Sequence, residues 1–97
     1  MRQLIIKPHA EASILDVARW LSSQYFTDTG LKFLDDLEQA LLKHAAISKL
    51  TFPLCKNKRL ARQGYSCIVF KRKWVVAFKA TKRSFVVYEF IWGPKLR

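Results

Sequence analysis

Apolar positions follow one rhythm in the first half of the chain and another in the second. Leu4-Ile5-Ile6 is a short β-branched run that stops before Pro8, so a strand is expected to leave there into a turn. Ile14, Val17, Ala18, Leu21 and Tyr25 then recur at steps of three and four, with Glu11, Asp16 and Arg19 between them. That spacing lines one face of a helix. Leu34, Leu37, Leu41 and Ala45 form a second helical set, while Lys32, Asp35, Asp36, Glu38, Gln39 and Lys43 fill its other faces. Thr27 or Asp28 is the expected cap, because a side-chain oxygen there can accept from the free N–H groups of the first turn. So few residues separate the two helices that they must fold back as a hairpin.

From Lys58 onward the pattern becomes strand-like. Residues 65–70, 74–78 and 85–92 are three runs rich in aromatic and β-branched side chains, separated by the basic turns Lys71-Arg72-Lys73 and Lys82-Arg83. Short connections predict an antiparallel meander, and its apolar surface needs a cover that the helix hairpin can supply. The expected architecture is α+β: a βααβββ chain, with an antiparallel sheet covered on one face by an α-helical hairpin. Residues 1–97 are read as one domain.

Composition narrows the classes of function. With 51% hydrophobic and 26% charged residues, the chain has ordinary globular usage and is not a disordered segment. Its apolar runs fall far short of the ~20 residues of a membrane span, and the first residues lack the ~7–15-residue apolar core of a signal peptide. A cytoplasmic protein without a membrane partner is expected. Cys55 and Cys67 have no His or Cys at a zinc-ligand spacing, so they are read as two buried reduced thiols, with neither metal nor disulfide framework. His9 and His44 have no acidic or cysteine partner at a catalytic spacing and are read as surface or boundary residues. No small-molecule cofactor is implied.

Charge is divided unevenly. Residues 1–38 hold four basic residues against six acidic ones, and residues 39–97 hold fourteen against one. A net charge of +11 concentrated in the second half favours phosphates or an acidic polypeptide as partner.

The order strand, helix hairpin, three strands resembles the RelE/ParE superfamily, the toxins of type II toxin–antitoxin systems. Pro8-His9-Ala10 through Leu15-Asp16 is similar to the family's opening. Trp74-Val75-Val76-Ala77-Phe78-Lys79 is similar to its third-strand pattern, and Ile91-Trp92-Gly93-Pro94-Lys95 stands where the family often has an aliphatic, His, Gly, any residue and Arg. The resemblance spans nearly the whole chain. It implies a cognate acidic antitoxin and one of two targets, DNA gyrase for ParE-like members or ribosome-bound messenger RNA for RelE-type members.

RelE-type cleavage relies on lysines of the second strand, an arginine after the third-strand aromatic, and another near the C-terminal strand. In this chain those positions align with Ser66, Ile68, Val75 and Lys95, which removes most of the cations that would stabilise a cleaving phosphate. A slip of register would bring Lys71, Arg72 or Lys73 there instead. The resemblance thus implies a ParE-like toxin that inhibits growth by binding a target such as gyrase. A RelE-type mRNA interferase is the alternative, and a basic nucleic-acid-binding module the second alternative.

Candidate catalytic residues, should the chain be an enzyme, are Lys95, Arg59 and Arg62. Candidate target- or antitoxin-binding residues are Lys56, Lys58, Arg59, Arg62, Lys71, Arg72, Lys82, Arg83, Lys95 and Arg97. Against each stands a plainer role: a solvated loop for the first four, protection of strand tips for the turn residues, and a frayed end for Arg97. Trp20, Trp74, Trp92, Phe78, Phe85, Tyr88 and Phe90 are read chiefly as core rather than as stacking platforms for bases.

Overall fold

Pro8 starts a helix in the computed structural model, which describes residues 2–49 and 51–96. Its fixed φ and missing N–H suit the first helical position, so strand β1 (Gln3–Ile6) enters helix α1 (Pro8–Gln24) through Lys7 alone. Helix α2 (Thr29–Ala45) doubles back after a short connection. Asp28 occupies its N-cap without a side-chain bond, and the capping oxygen comes from the preceding helix. Ser22 Oγ accepts from the Gly30 N–H (3.0 Å) and donates to the Thr27 carbonyl (2.9 Å). Gly30 is required there, because a Cβ would collide with the Ala18 carbonyl and the Ser22 hydroxyl.

A short helix, α3 (Lys58–Arg62), precedes strands β2 (Ser66–Phe70), β3 (Trp74–Ala80) and β4 (Ser84–Trp92), and a 3₁₀ turn follows (Gly93–Leu96). The fold is α+β with sheet order β1-β4-β3-β2. The meander β2-β3-β4 is antiparallel, whereas β1 pairs parallel with β4, so the sheet as a whole is mixed. Ala77 faces Glu89 and Phe78 faces Val87, which leaves Tyr88 as an extra residue in β4. This is a β-bulge.

Ala10, Ile14 and Ala18 of α1 and Phe33, Leu37, Leu41 and Ala45 of α2 are buried against Phe70, Val76, Phe78, Phe85, Val87 and Phe90 of the sheet. Phe33 meets Phe70, Trp74 and Phe90 edge-on at 5.7–6.1 Å, and Phe78 stacks on Phe85 at 4.3 Å. Such ring geometries add to the burial of large apolar area. The aromatic residues Phe78, Phe85 and Phe90 are therefore core, as their pattern predicts.

The opposite face of the sheet is not bare. Cys55, Leu60 and Ala77 are buried there in a second cluster with Tyr65, Cys67, Val75 and Ile91. The segment carrying α3 lies on this face, and the two cysteines expected as free thiols are joined as a Cys55–Cys67 disulfide. The sequence offers no sign of this pairing, because a separation of 12 residues becomes a short distance only when α3 folds back over β2. No helix among the described residues is long and apolar enough to cross a membrane.

Arg2, counted in the sequence only as one more cation, is buried. Its Nε donates to the Thr81 carbonyl (2.5 Å), Nη1 to that of Ile47 (2.6 Å) and Nη2 to that of Lys49, and the guanidinium lies over the Phe52 ring. One planar group thereby ties the N-terminus to the exit of α2 and to the β3–β4 turn. Replacing Arg2 by Ala leaves three carbonyls unpaired and should lower the unfolding free energy by about 2–4 kcal/mol in a denaturant titration. Lys is expected to rescue only part of this, since one ammonium cannot match the planar fork. Replacing both cysteines by Ser should cost about 2–3 kcal/mol in the same assay, from the freed loop of the unfolded chain.

Candidate functional site

Strand alternation sorts the sheet's side chains into a helix face and an outer face. On the outer face α3 covers Cys67, Val75, Ala77 and Ile91, but leaves Lys79, Tyr88 and Glu89 beyond its end. Tyr65 joins them because of how α3 stops. Gly64 adopts φ +81°, and the N–H groups of Gly64 and Tyr65 bond the Ala61 (2.9 Å) and Leu60 (3.2 Å) carbonyls. The left-handed glycine turns the chain into β2 with Tyr65 over the sheet.

Tyr65 and Tyr88 rings lie 5.2 Å apart at an interplanar angle of 31°. Lys79 Nζ is 5.3 Å from the Tyr65 centroid and 5.6 Å from that of Tyr88, and Lys7 Nζ is 5.8 Å from Tyr88. Two ammonium groups thus sit against two aromatic faces, an arrangement that holds the cations without neutralising them. Beside them His9 Nε2 meets Glu89 Oε2 at 3.2 Å. His9 therefore has the carboxylate partner that its place in the sequence does not suggest.

Burial pushes the Tyr65 phenol above its ordinary pKa, with smaller contributions from the Glu89 charge and from Tyr88. At neutral pH the phenol keeps its proton and can donate a hydrogen bond to a ligand beside the Lys79 ammonium. Lys7, Lys79, Tyr65 and Tyr88 together offer positive charge, a donor and ring surface. That set suits a phosphate or carboxylate attached to a planar or apolar group.

The residues singled out from the sequence fall in three separate places. Lys56, Lys58, Arg59 and Arg62 are exposed on or just before α3, around the buried Leu60, and share the outer face with the tyrosines. Lys71, Arg72 and Lys95 lie at the β2–β3 end, and Lys82 and Arg83 at the β3–β4 end, with the full length of β3 between. Arg97 lies outside the described residues. Lys71 bonds Asp36 Oδ2 at 2.9 Å, and this bond holds the Asp36 carboxyl below its ordinary range. Arg83 is placed by Thr81, whose Oγ1 accepts from the Arg83 and Ser84 N–H groups.

Lys95 stands with Lys73 on a groove lined by Trp20, Trp74 and Trp92, where Trp20 and Trp92 are about half exposed. These two tryptophans depart from the core role expected of them.

Three of the four positions compared in the sequence, Ser66, Ile68 and Val75, are occupied without charge, and the fourth is Lys95. Ser66 is buried and donates to the Phe52 carbonyl (3.4 Å), Ile68 packs toward the helices, and Val75 belongs to the cluster beneath α3. β2 carries no Lys or Arg at all.

Lys71 and Arg72 have φ of 51° and 66°, a left-handed pair usually filled by Asn-Gly in such a turn. Holding cations there costs backbone energy that a glycine would not. The chain matches no family model and no curated protein.

Arg72→Gly should raise the unfolding free energy by about 1 kcal/mol in thermal or chemical denaturation. Tyr65 should titrate above pH 10.0 by ultraviolet absorbance, and Glu89→Gln should move it back toward that value. Because the fold favours the neutral phenol, this contribution to stability is complete below pH 10.0 and is lost as pH rises through the Tyr65 pKa.

Proposed function

We propose that this chain is the toxin of a type II toxin–antitoxin system, of ParE-like character. It arrests growth by binding a macromolecular target such as DNA gyrase in the cytoplasm, and an acidic antitoxin silences it. The observation that carries this reading is the outer sheet face. It is cationic and bears tyrosines, yet Val75 on it carries no charge, and Ser66 and Ile68, turned to the helix side of the sheet, supply none of the cations that RelE-type cleavage requires. The order strand, helix hairpin, three strands, with the short α3 inserted before β2 and with β1 beside β4, supports the same superfamily.

The groups that remain on this face recognise more readily than they cut. Lys7 and Lys79 attract a polyanion, Tyr65 donates a hydrogen bond, and the ring pair offers a surface on which an apolar or planar group can lie. α3 extends the positive surface through Lys58, Arg59 and Arg62.

One observation favours the second reading, a ribosome-dependent mRNA interferase. The His9–Glu89 pair supplies an imidazole oriented by a carboxylate, beside a protonated phenol and two ammonium groups. A base for a 2′-hydroxyl and cations for the phosphate are what metal-free RNA cleavage needs.

Inducible expression tests both readings. Growth should stop, with DNA damage and intact transcripts for the gyrase reading, or with cuts in translated RNA for the other. Normal growth overturns the toxin reading altogether. Lys7→Ala with Lys79→Ala should relieve the arrest while the purified variant stays folded by circular dichroism. His9→Gln should relieve it only if transcripts are being cut.

A further inference from the structure

The cover on the outer face of the sheet is held by far less than the helix hairpin on the other face. Residues 53–64 bury Cys55 and Leu60, whereas the hairpin buries side chains along the whole of α1 and α2. Among the described residues, the backbone bonds of 53–64 end within that segment or on Tyr65, and none reaches β3 or β4. The covalent tie is the Cys55–Cys67 bond, which fastens the start of the cover to β2. Without it, one buried leucine is little to set against the conformational freedom that the whole segment regains on leaving the sheet.

At its far end the cover holds the tyrosine site. The Tyr65 N–H bonds the Leu60 carbonyl, and the Tyr65 carbonyl accepts from the Cys55 N–H (2.9 Å). A Cβ on Gly64 would lie 3.6 Å from Lys79 Cε, so the turn that ends α3 also rests against the lysine that reaches both rings. The disulfide itself lies within reach of solvent. Cys55 and Cys67 line a groove of about 400 Å³ together with Leu54, Val69 and Val75, and Cys67 is only partly buried. Lys56 stands on the same groove, where a cation favours the thiolates that enter and leave during exchange.

We propose that Cys55–Cys67 is a reversible redox site that controls the tyrosine site: a dithiol reductant opens the bond, the cover carrying α3 leaves the sheet, and Tyr65 is withdrawn from Tyr88 and Lys79. One thiolate of the reductant attacks the Cys67 sulfur, the S–S bond breaks, and Cys55 departs as a thiolate that takes up a proton. The second thiol of the reductant then displaces Cys67 from the mixed disulfide. Two electrons and two protons pass to the cysteine pair, and the reductant ends as a cyclic disulfide. A small-molecule disulfide oxidant reverses the exchange. The inference concerns the geometry of the tyrosine site and does not rest on the toxin reading.

The test uses the purified chain with and without dithiothreitol, near neutral pH and without denaturant. Alkylation followed by mass measurement counts the thiols released. Amide hydrogen exchange reports the cover, and the ring resonances of Tyr65 and Tyr88 report the site. Both cysteines should become alkylated, exchange at residues 58–65 should run about a hundredfold faster, and both sets of ring shifts should move toward those of free tyrosine. Amides of α1 and α2 should keep their protection, and oxidised glutathione should restore the starting state. Cys55→Ser with Cys67→Ser should show the fast exchange without reductant, and dithiothreitol should add nothing to it.

The comparison of oxidised and reduced wild-type chain decides the matter even if that variant fails to fold. The proposal is overturned if thiols appear only after the chain is unfolded, or if reduction leaves both the exchange at 58–65 and the tyrosine shifts unchanged. It is equally overturned if α1 and α2 lose protection to the same degree, since the bond would then support the whole fold. Growth plays no part in these measurements, so failure here and failure of the toxin reading are separate results.

Discussion

The guanidinium of Arg2 closes the end of the molecule where α2 finishes, β1 begins and the β3–β4 turn passes. Carbonyls at the exit of a helix have no partner within it, and the helix dipole leaves that end negative. A buried cation just past that end offsets the dipole, and its donors pair the carbonyls of Ile47 and Lys49, which follow the helix. The Arg2 main-chain N–H pairs a carbonyl of the helix itself, that of Ala45 (3.3 Å), while the side chain ties down the segment that leaves it. With that corner fixed, β1 lies beside β4 and Lys7 comes within reach of Tyr88.

The sheet then works as a partition. On one side, aromatic rings and the helix hairpin exclude water. On the other, a small helix held by Leu60 and the Cys55–Cys67 bond covers only part of the surface. The uncovered part is small, but it collects residues from four places in the chain: Lys7 and His9, Tyr65, Lys79, and Tyr88 with Glu89. The positive charge of the second half is spread over α3 and the two ends of the sheet. The aromatic pair, rather than charge density alone, therefore marks the candidate site.

Much of the architecture was legible because it depends on local rhythm. The helical spacing of Ile14, Ala18, Leu37 and Leu41 and the apolar runs of the meander lead directly to the layers observed. What could not be read depends on contacts between distant residues. Ser22 capping the second helix, Arg2 reaching three carbonyls, the disulfide and the His9–Glu89 pair all join segments whose proximity exists only after folding. The basic residues were visible but their grouping was not, since Lys71 and Lys82 look like neighbours in the sequence and lie at opposite ends of β3. One signal was present and overlooked. In β4 the covered residues are Phe85 and Val87, then Phe90, so the parity changes from odd to even.

That change of parity has an implication for how the site relates to the scaffold. If Tyr88 were taken out of the chain, Val87 would be followed directly by Glu89, and inward and outward residues would alternate without interruption from Phe85 to Trp92. Every buried side chain of the strand would keep its orientation. The tyrosine is in this sense an insertion superimposed on a complete strand, and the outer face carries it without any change to the hydrophobic interior.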